Sequence, residues 1–225
     1  MNLSSLYSNR IIKEFQIAFD ISSETPTHNQ GPTLVITNNP LYATEFFRRS
    51  IKDLSFLVNP KVEFNQFIEG AKDWTQSNLS LSDLDQQKKF DKIIWVLPNK
   101  SEPKSIIEQV TAKLTEDAEL IVILPGLLHT FLPEKKVDSD LPLPTYSSIL
   151  SAKLFRQSGL RLVKRIGIHS LNSIIYSLTA RGMQLLGSPA WCDRLIFSSR
   201  SVYQELGWLW SLSTLVVSYY QKHRS

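Results

Sequence analysis

Apolar residues recur at spacings of three and four along residues 6–18 (LYSNRIIKEFQIA), which is the pattern of an amphipathic helix. After a polar segment rich in turn-forming residues, TLVITN at 33–38 is short and rich in β-branched residues, as expected of a buried strand. Pro40 stands where proline is favoured in the first turn of a helix, and helical spacing continues through residue 57. We therefore predict a helix, a strand and a second helix over residues 6–57.

The middle of the chain contains the strongest pattern. VEFNQFI at 62–68 is predicted to be the second strand, whereas residues 70–89 are polar and predict no clear element. FDKIIWVLP at 90–98 is an almost continuous apolar run, typical of a strand buried on both faces of a parallel sheet. A helix with one apolar face (105–114) follows, and then TEDAELIVILPG (115–126) predicts a turn and another buried strand. This is a βαβ unit with a right-handed crossover.

The C-terminal part continues the alternation, with predicted helices at 145–159 and 172–187 and strands at 161–169 and 213–222. About six strands alternate with helices, which predicts a doubly wound, three-layer α/β fold. We expect one domain over residues 1–225. Residues 1–30 would form an N-terminal helix and loop, and residues 31–225 an α/β core with a helical insertion at about 172–210.

Composition narrows the protein class. The chain has 225 residues, of which 42% are hydrophobic and 20% charged, so it can bury a sizeable core. Cys192 is the only cysteine, which excludes an internal disulfide and favours a reducing compartment. No basic segment followed by an apolar one begins the chain, and the longest apolar run, near 206–217, is short and interrupted. We expect a cytoplasmic protein without a signal peptide or a transmembrane segment.

Charge is distributed unevenly along the chain. The net charge is +4, with +6 in residues 161–225 and −2 in residues 1–160. The basic C-terminal part could contact RNA or a membrane surface, or it could be an ordinary solvated face. Aromatic residues are also frequent in this part, and they favour core and interface packing, an interfacial membrane patch or a lid over a hydrophobic substrate; they are Trp191, Trp208, Trp210, Tyr219 and Tyr220.

The order of these elements resembles a known family. FDKIIWVLP, a helix and LTEDAELIVIL resemble the fourth strand, helix and fifth strand of class I S-adenosylmethionine (SAM)-dependent methyltransferases. FRQSGL with RLVKRIGI resembles the family's next helix and sixth strand, and STLVVSYYQK its seventh strand. The resemblance covers residues 90–222, and 33–70 in outline. It implies a Rossmann-like, doubly wound three-layer sandwich, a mostly parallel sheet with an antiparallel last strand, and SAM as cofactor.

One departure from the family concerns the cofactor. After its first strand the family has a glycine-rich loop, where any Cβ would collide with the ligand. This chain has Thr37, Asn38 and Asn39 instead, followed by Pro40, which lacks an N–H donor. The resemblance places Thr37, Asn38 and Asn39 beside the cofactor. It also implies an acidic residue bound to the ribose after the second strand, for which Glu69 is the candidate, although solubility alone would explain a glutamate there.

Ligands of a doubly wound sheet bind at the carboxyl ends of its strands. This adds Pro98 and Asn99, after the fourth strand, to the cofactor-site candidates, with an ordinary turn as the alternative. His129, in PGLLHTF after the fifth strand, is a candidate general base for an acceptor oxygen or nitrogen, with an ordinary surface histidine as the alternative. Cys192 has no cysteine or histidine at metal-ligand spacing, so no metal site is predicted.

Two functions follow from these observations. The first is transfer of a methyl group from SAM to a small-molecule or lipid-like acceptor, favoured by the C-terminal half and by a lid between the sixth and seventh strands. The second is a non-catalytic, methyltransferase-like module with a degenerate cofactor site, which binds a protein or RNA partner. The missing glycines favour the second function, and fold alone does not choose between the two.

Overall fold

The computed structural model describes residues 3–24, 31–37, 40–47, 49, 51, 53–58, 73–76, 81–98, 104–126, 148–168, 203–204, 213 and 215–222. In this part of the chain the helices are α1 (Leu3–Glu24), α2 (Pro40–Phe47), α3 (Lys104–Ala112) and α4 (Ser148–Gln157), with a short 3-10 turn at Leu81–Asp83. The strands are β1 (Thr33–Thr37), β2 (Leu54–Val58), β3 (Asp73–Gln76), β4 (Phe90–Val96), β5 (Leu114–Pro125), β6 (Leu160–Ile168), β7 (Tyr203–Gln204) and β8 (Leu215–Lys222).

The strands form one sheet in the order β3-β2-β1-β4-β5-β8-β6-β7. Strands β3, β2, β1, β4 and β5 pair in parallel. Strand β8 runs antiparallel to both of its neighbours, β5 and β6, so β6 has the same direction as β5. The short β7 pairs antiparallel with the end of β6. The prediction of a mostly parallel, doubly wound sheet with an antiparallel last strand is confirmed.

Two apolar layers sandwich this sheet, because its strands alternate between two cores. In β1, Val35 belongs to the core under α1 and α2, whereas Leu34 and Ile36 belong to the core under α3 and α4. We call these the α1/α2 face and the α3/α4 face. Burial of one leucine, isoleucine or phenylalanine side chain contributes about 1.5–3 kcal/mol, so these two layers supply most of the stabilisation.

Helix α1 is fixed to α2, and to Arg49 just after it, by contacts that occur in the same order along both segments. They are the ring pairs Phe15–Tyr42 and Phe19–Phe46, each with centroids 4.6 Å apart, and the Asp20–Arg49 ion pair at 2.8 Å. The two helices therefore run in the same direction. Because α2 starts where β1 ends, the residues of α1 that precede Phe15 lie toward the carboxyl ends of the parallel strands.

The predicted helix over residues 40–57 is wrong in its second half. Helix α2 ends at Phe47, and Leu54–Val58 forms strand β2, which pairs in parallel with β1. The break is made by Asp53, whose left-handed backbone (φ 51°) turns the chain and whose carbonyl accepts a hydrogen bond from Thr33 N at 3.0 Å. The predicted strand at 62–68 and helix at 172–187 lie outside the described residues.

Other boundaries differ less from the prediction. Residues 70–89, for which no element was predicted, contain β3 and the 3-10 turn, and residues 115–118 extend β5 instead of forming a turn. None of the described helices is long and apolar enough to cross a membrane.

Candidate functional site

The sheet has a switch point between β1 and β4. From β1 the chain proceeds to β2 and β3 on one side, whereas from β4 it proceeds to β5 on the other. Strand connections therefore diverge at this point, and the crevice outside the carboxyl ends is where doubly wound sheets bind ligands. Thr37 is the register partner of Val96 at this end, and Val96 is the partner of Ile123. We call this end of β1, β4 and β5 the carboxyl edge.

Two of the predicted site residues lie at the carboxyl edge. Thr37 is the last residue of β1, is 1% exposed, and shares the α1/α2 face with Val35. Pro98 is buried two residues beyond the end of β4. Because β1 and β4 are paired, the structure brings these two residues to one edge. The other predicted site residues lie outside the described residues; they are Asn38, Asn39, Glu69, Asn99 and His129.

The connection from β1 to α2 is short. Strand β1 ends at Thr37 and α2 starts at Pro40, so Asn38 and Asn39 alone join them. A glycine-rich loop offers its backbone atoms to a ligand. Here Asn38 and Asn39 each have a Cβ, and Pro40 has no N–H to donate.

Two large side chains of α2, those of Tyr42 and Phe46, have contacts on α1. Tyr42 stacks on Phe15 with centroids 4.6 Å apart and meets Phe19 edge-on at 5.5 Å. Phe46 is fully buried against Phe19. These rings therefore belong to the core of the α1/α2 face, and this packing fixes the start of α2 beside the end of β1.

Leu97, which follows β4, has an unusual backbone. Its φ is 52°, in the left-handed region, and its side chain is 2% exposed in the core of the α1/α2 face. Its N–H donates to the carbonyl of Ile123 at 2.9 Å, so pairing with β5 continues one residue beyond β4. The sequence reasoning missed this residue, since position 97 itself holds neither glycine nor asparagine, the residues that usually mark a left-handed backbone.

A buried carboxylate on α1 was also missed. Glu14 is 1% exposed, directly before Phe15, and so lies in the part of α1 nearest the carboxyl edge. Ile11 and Ala18 stand three residues before and four residues after it, so Glu14 interrupts the apolar stripe of this amphipathic helix. A buried carboxylate is rare outside functional sites and paired structural positions, and the stripe is the signal that could have identified it.

Among the described residues, two ionisable groups with shifted pKa values lie away from the carboxyl edge. Burial lowers the pKa of Lys92, and the adjacent Glu119 carboxylate opposes that shift. Lys92 is the partner of Thr33, at the opposite end of β1 from Thr37. Burial raises the pKa of the Tyr220 hydroxyl under α4, and the nearby Arg165 guanidinium opposes that shift. Among the described residues, no group of three histidine, cysteine, aspartate or glutamate side chains could hold a metal ion.

The sequence of this chain matches no known protein family and no curated protein. Solved structures are similar to it at low identity. One is a Haloferax volcanii protein, assigned as a methyltransferase, in complex with the Trm112 methyltransferase activator. Its TM-score is 0.61 and its sequence identity 10%, and the match covers 99% of this chain and 95% of that chain. The plantazolicin methyltransferase BpumL, in complex with a desmethyl plantazolicin analogue and S-adenosylhomocysteine (SAH), has a TM-score of 0.57 and 13% identity, covering 98% and 90%.

A third similar structure comes from Thermotoga maritima. This SAM-dependent methyltransferase has a TM-score of 0.56 and 14% identity, covering 93% of this chain and 88% of that chain. The three similarities extend over nearly the whole of each chain, so they concern the complete architecture and not one βαβ unit. At such identities they establish the fold.

Proposed function

We propose that this chain, which has the fold of the class I SAM-dependent methyltransferases, binds SAM at its carboxyl edge and transfers the methyl group to a small-molecule or lipid-like acceptor. The switch point between β1 and β4 carries this proposal, because Thr37 and Val96 end adjacent strands there. BpumL, which is similar in fold, is a methyltransferase in complex with SAH, the product left when SAM loses its methyl group.

The described residues fit a cofactor at this edge in one respect. The rings of Tyr42 and Phe46 pack on α1, so these two bulky side chains of α2 have their contacts in the core. Thr37 and Pro98 would contact the cofactor, together with Asn38, Asn39 and Asn99, and Glu69 would bind its ribose hydroxyls. Since the glycines are missing, we expect side-chain amides and hydroxyls to replace much of the usual backbone contact.

The protein contributes to this reaction mainly by positioning the acceptor and SAM relative to each other. SAM, when bound, supplies an electrophilic methyl group on a sulfonium, and in-line transfer depends on holding the acceptor behind that methyl group. His129 is the proposed general base that takes a proton from the acceptor oxygen or nitrogen. Residues between β6 and β8 would cover the acceptor.

A second candidate function is a non-catalytic module that binds a protein or RNA. The connection of only Asn38 and Asn39 before Pro40 favours it, because no bare backbone is left for the cofactor. The Haloferax volcanii protein that is similar in fold forms a complex with a protein partner, Trm112. The +6 charge of residues 161–225 suits RNA or a peripheral membrane contact. We place either function in the cytoplasm, since one cysteine permits no internal disulfide.

Titration calorimetry with SAM and with SAH distinguishes the two functions. Binding with a Kd near micromolar, about −8 kcal/mol, would support the enzyme and justify a search for the acceptor. If the folded protein gives neither heat nor a thermal shift with millimolar SAM or SAH, the enzyme proposal is wrong, and a protein or RNA partner should be sought by pull-down.

A further inference from the structure

Leu97 holds a backbone conformation that its residue type disfavours. At φ 52° its Cβ is crowded by the backbone, and bulky side chains rarely adopt this region. Pro98 follows, and a proline favours an extended backbone in the residue before it. Glycine or asparagine would adopt the same conformation at little cost. The conformation of Leu97 must therefore be imposed by its surroundings.

Two contacts impose it. The N–H of Leu97 donates to the Ile123 carbonyl at 2.9 Å, which holds the backbone against β5. The side chain, 2% exposed, packs in the core of the α1/α2 face, to which Val96 also belongs. In a continuing strand, successive side chains would point to opposite faces. The left-handed turn therefore places two successive side chains in one core and ends β4 abruptly at the switch point.

We propose that Leu97 is a positioning residue of the carboxyl-edge site: its left-handed backbone sets the direction in which Pro98 leaves β4 and so presets the site for its ligand. The inference rests on the proposed function, with SAM and SAH as the ligands. Strained backbone that is held by its surroundings concentrates at ligand-binding sites. The direction of Pro98 matters because β4, the strand that it follows, forms one side of the switch point.

Asp53 provides a matched control. Its φ of 51° is nearly the same as that of Leu97, but Asp53 is exposed and its carbonyl accepts a hydrogen bond from Thr33, the first residue of β1. It therefore has the same backbone conformation at the opposite end of the sheet.

Two substitutions at Leu97 separate backbone positioning from core packing. Asparagine tolerates the left-handed region but is polar, whereas valine is apolar but β-branched and rarely adopts it. If Leu97 acts through its backbone, calorimetry should show that Leu97→Asn keeps the SAH Kd within about threefold of wild type. Leu97→Val should weaken SAH binding by about tenfold or more, which corresponds to about 1.4 kcal/mol.

The opposite order, with Leu97→Val unchanged and Leu97→Asn weakened, would show that Leu97 serves only core packing and would overturn the proposal. Equal affinities of both variants and wild type would overturn it as well. If Leu97→Asn does not fold, Leu97→Gly takes its place, because glycine allows the same φ without burying a polar group. Asp53→Val should lower the melting temperature and leave the SAH Kd unchanged. A wild type that binds neither SAM nor SAH refutes the proposed function itself, and the positioning role with it.

Discussion

Gly126 lies so close to the backbone of Ser213 that a Cβ on Gly126 would fall 1.8 Å from the Ser213 carbonyl oxygen. The end of β5 and the segment that enters β8 therefore touch through backbone atoms. Gly126→Ala must push them apart, and we expect the free energy of unfolding to fall by about 2–3 kcal/mol. Urea denaturation followed by circular dichroism measures the change.

Gly159→Ala is the control for this prediction. Gly159 has φ +80°, but nothing lies within 4 Å of its Cβ position. The substitution then costs only the left-handed backbone of alanine, about 1 kcal/mol. Equal losses for the two variants would mean that the contact with Ser213 does not determine the cost at Gly126.

Thr37→Val tests the predicted cofactor contact directly. The variant keeps the shape of the buried side chain and removes its hydroxyl. Loss of one hydrogen bond, about 1 kcal/mol, should weaken SAH binding about fivefold in calorimetry. Thr33→Val is the matched control, since Thr33 is buried on the same face at the other end of β1. An unchanged Kd for Thr37→Val, or an equal loss for Thr33→Val, would argue against a role of the Thr37 hydroxyl.

Arg49→Met should loosen α1 from α2. Arg49 pairs with Asp20 at 2.8 Å, reaches the Gln16 carbonyl at 3.4 Å and lies over the Phe19 ring. Its side chain is 16% exposed, so part of this interaction is shielded from water. We expect a loss of about 1–2 kcal/mol and faster hydrogen exchange of the α1 amides after residue 14.

Lys104→Met is the matched control for Arg49→Met. Among the residues that the structure describes, Lys104 pairs along its own helix, with Glu108 at 3.4 Å, and both side chains are 58% exposed. Such pairs contribute little, about 0.5 kcal/mol or less. Unchanged α1 exchange in Arg49→Met would show that the ring contacts alone hold the helix.

Tyr220→Phe should remove part of the loss of stability at alkaline pH. Burial raises the pKa of Tyr220 above its ordinary value of 10.0, so the folded state keeps this proton to a higher pH than the unfolded state. Unfolding above pH 10 then releases a proton, and stability falls as pH rises through this range, by up to about 1.4 kcal/mol per pH unit. In Tyr220→Phe the free energy of unfolding should therefore fall less between pH 8 and 11 than it does in wild type. Urea denaturation at each pH measures this free energy.

Comparing the variant with wild type separates the effect of Tyr220 from that of the buried Lys92. The lowered pKa of Lys92 makes stability rise with pH, and it does so equally in both proteins. At neutral pH the variant should lose about 1 kcal/mol or less, because it gives up the interactions of one neutral hydroxyl that lies beside Ser151, Ser218 and Arg165. Parallel pH profiles for wild type and Tyr220→Phe would contradict the prediction.

The parts of the fold that could be predicted from sequence are those in which burial produces a distinct pattern. The apolar run at 90–98 and the short run at 33–38 are strands because parallel strands are covered on both faces. Strand β2 was missed because Leu54, Phe56 and Leu57 continue the helical spacing of α2, and the turn before them is made by Asp53 without glycine or proline.

The candidate site was predictable only where topology determines it. Thr37 and Pro98 follow from the rule that strand ends hold ligands, and the paired strands bring them to one edge. Leu97 and Glu14 could not be selected in this way. The role of Leu97 depends on a backbone angle that emerges only from tertiary packing, whereas the burial of Glu14 was signalled only by its place in the apolar stripe of α1.

The pairing of β6 with β8 has a consequence for how this protein could diversify. Ile168, the last residue of β6, is the register partner of Leu215, the first residue of β8, so β6 ends beside the start of β8. Residues 169–214, which include β7, therefore begin and end about one strand spacing apart. Lengthening a connection whose ends are held together costs little free energy, about 0.6 kcal/mol for each doubling of its length. The connection between β6 and β8 can therefore change in length or be exchanged while the pairing of β8 with β5 and β6 remains unchanged.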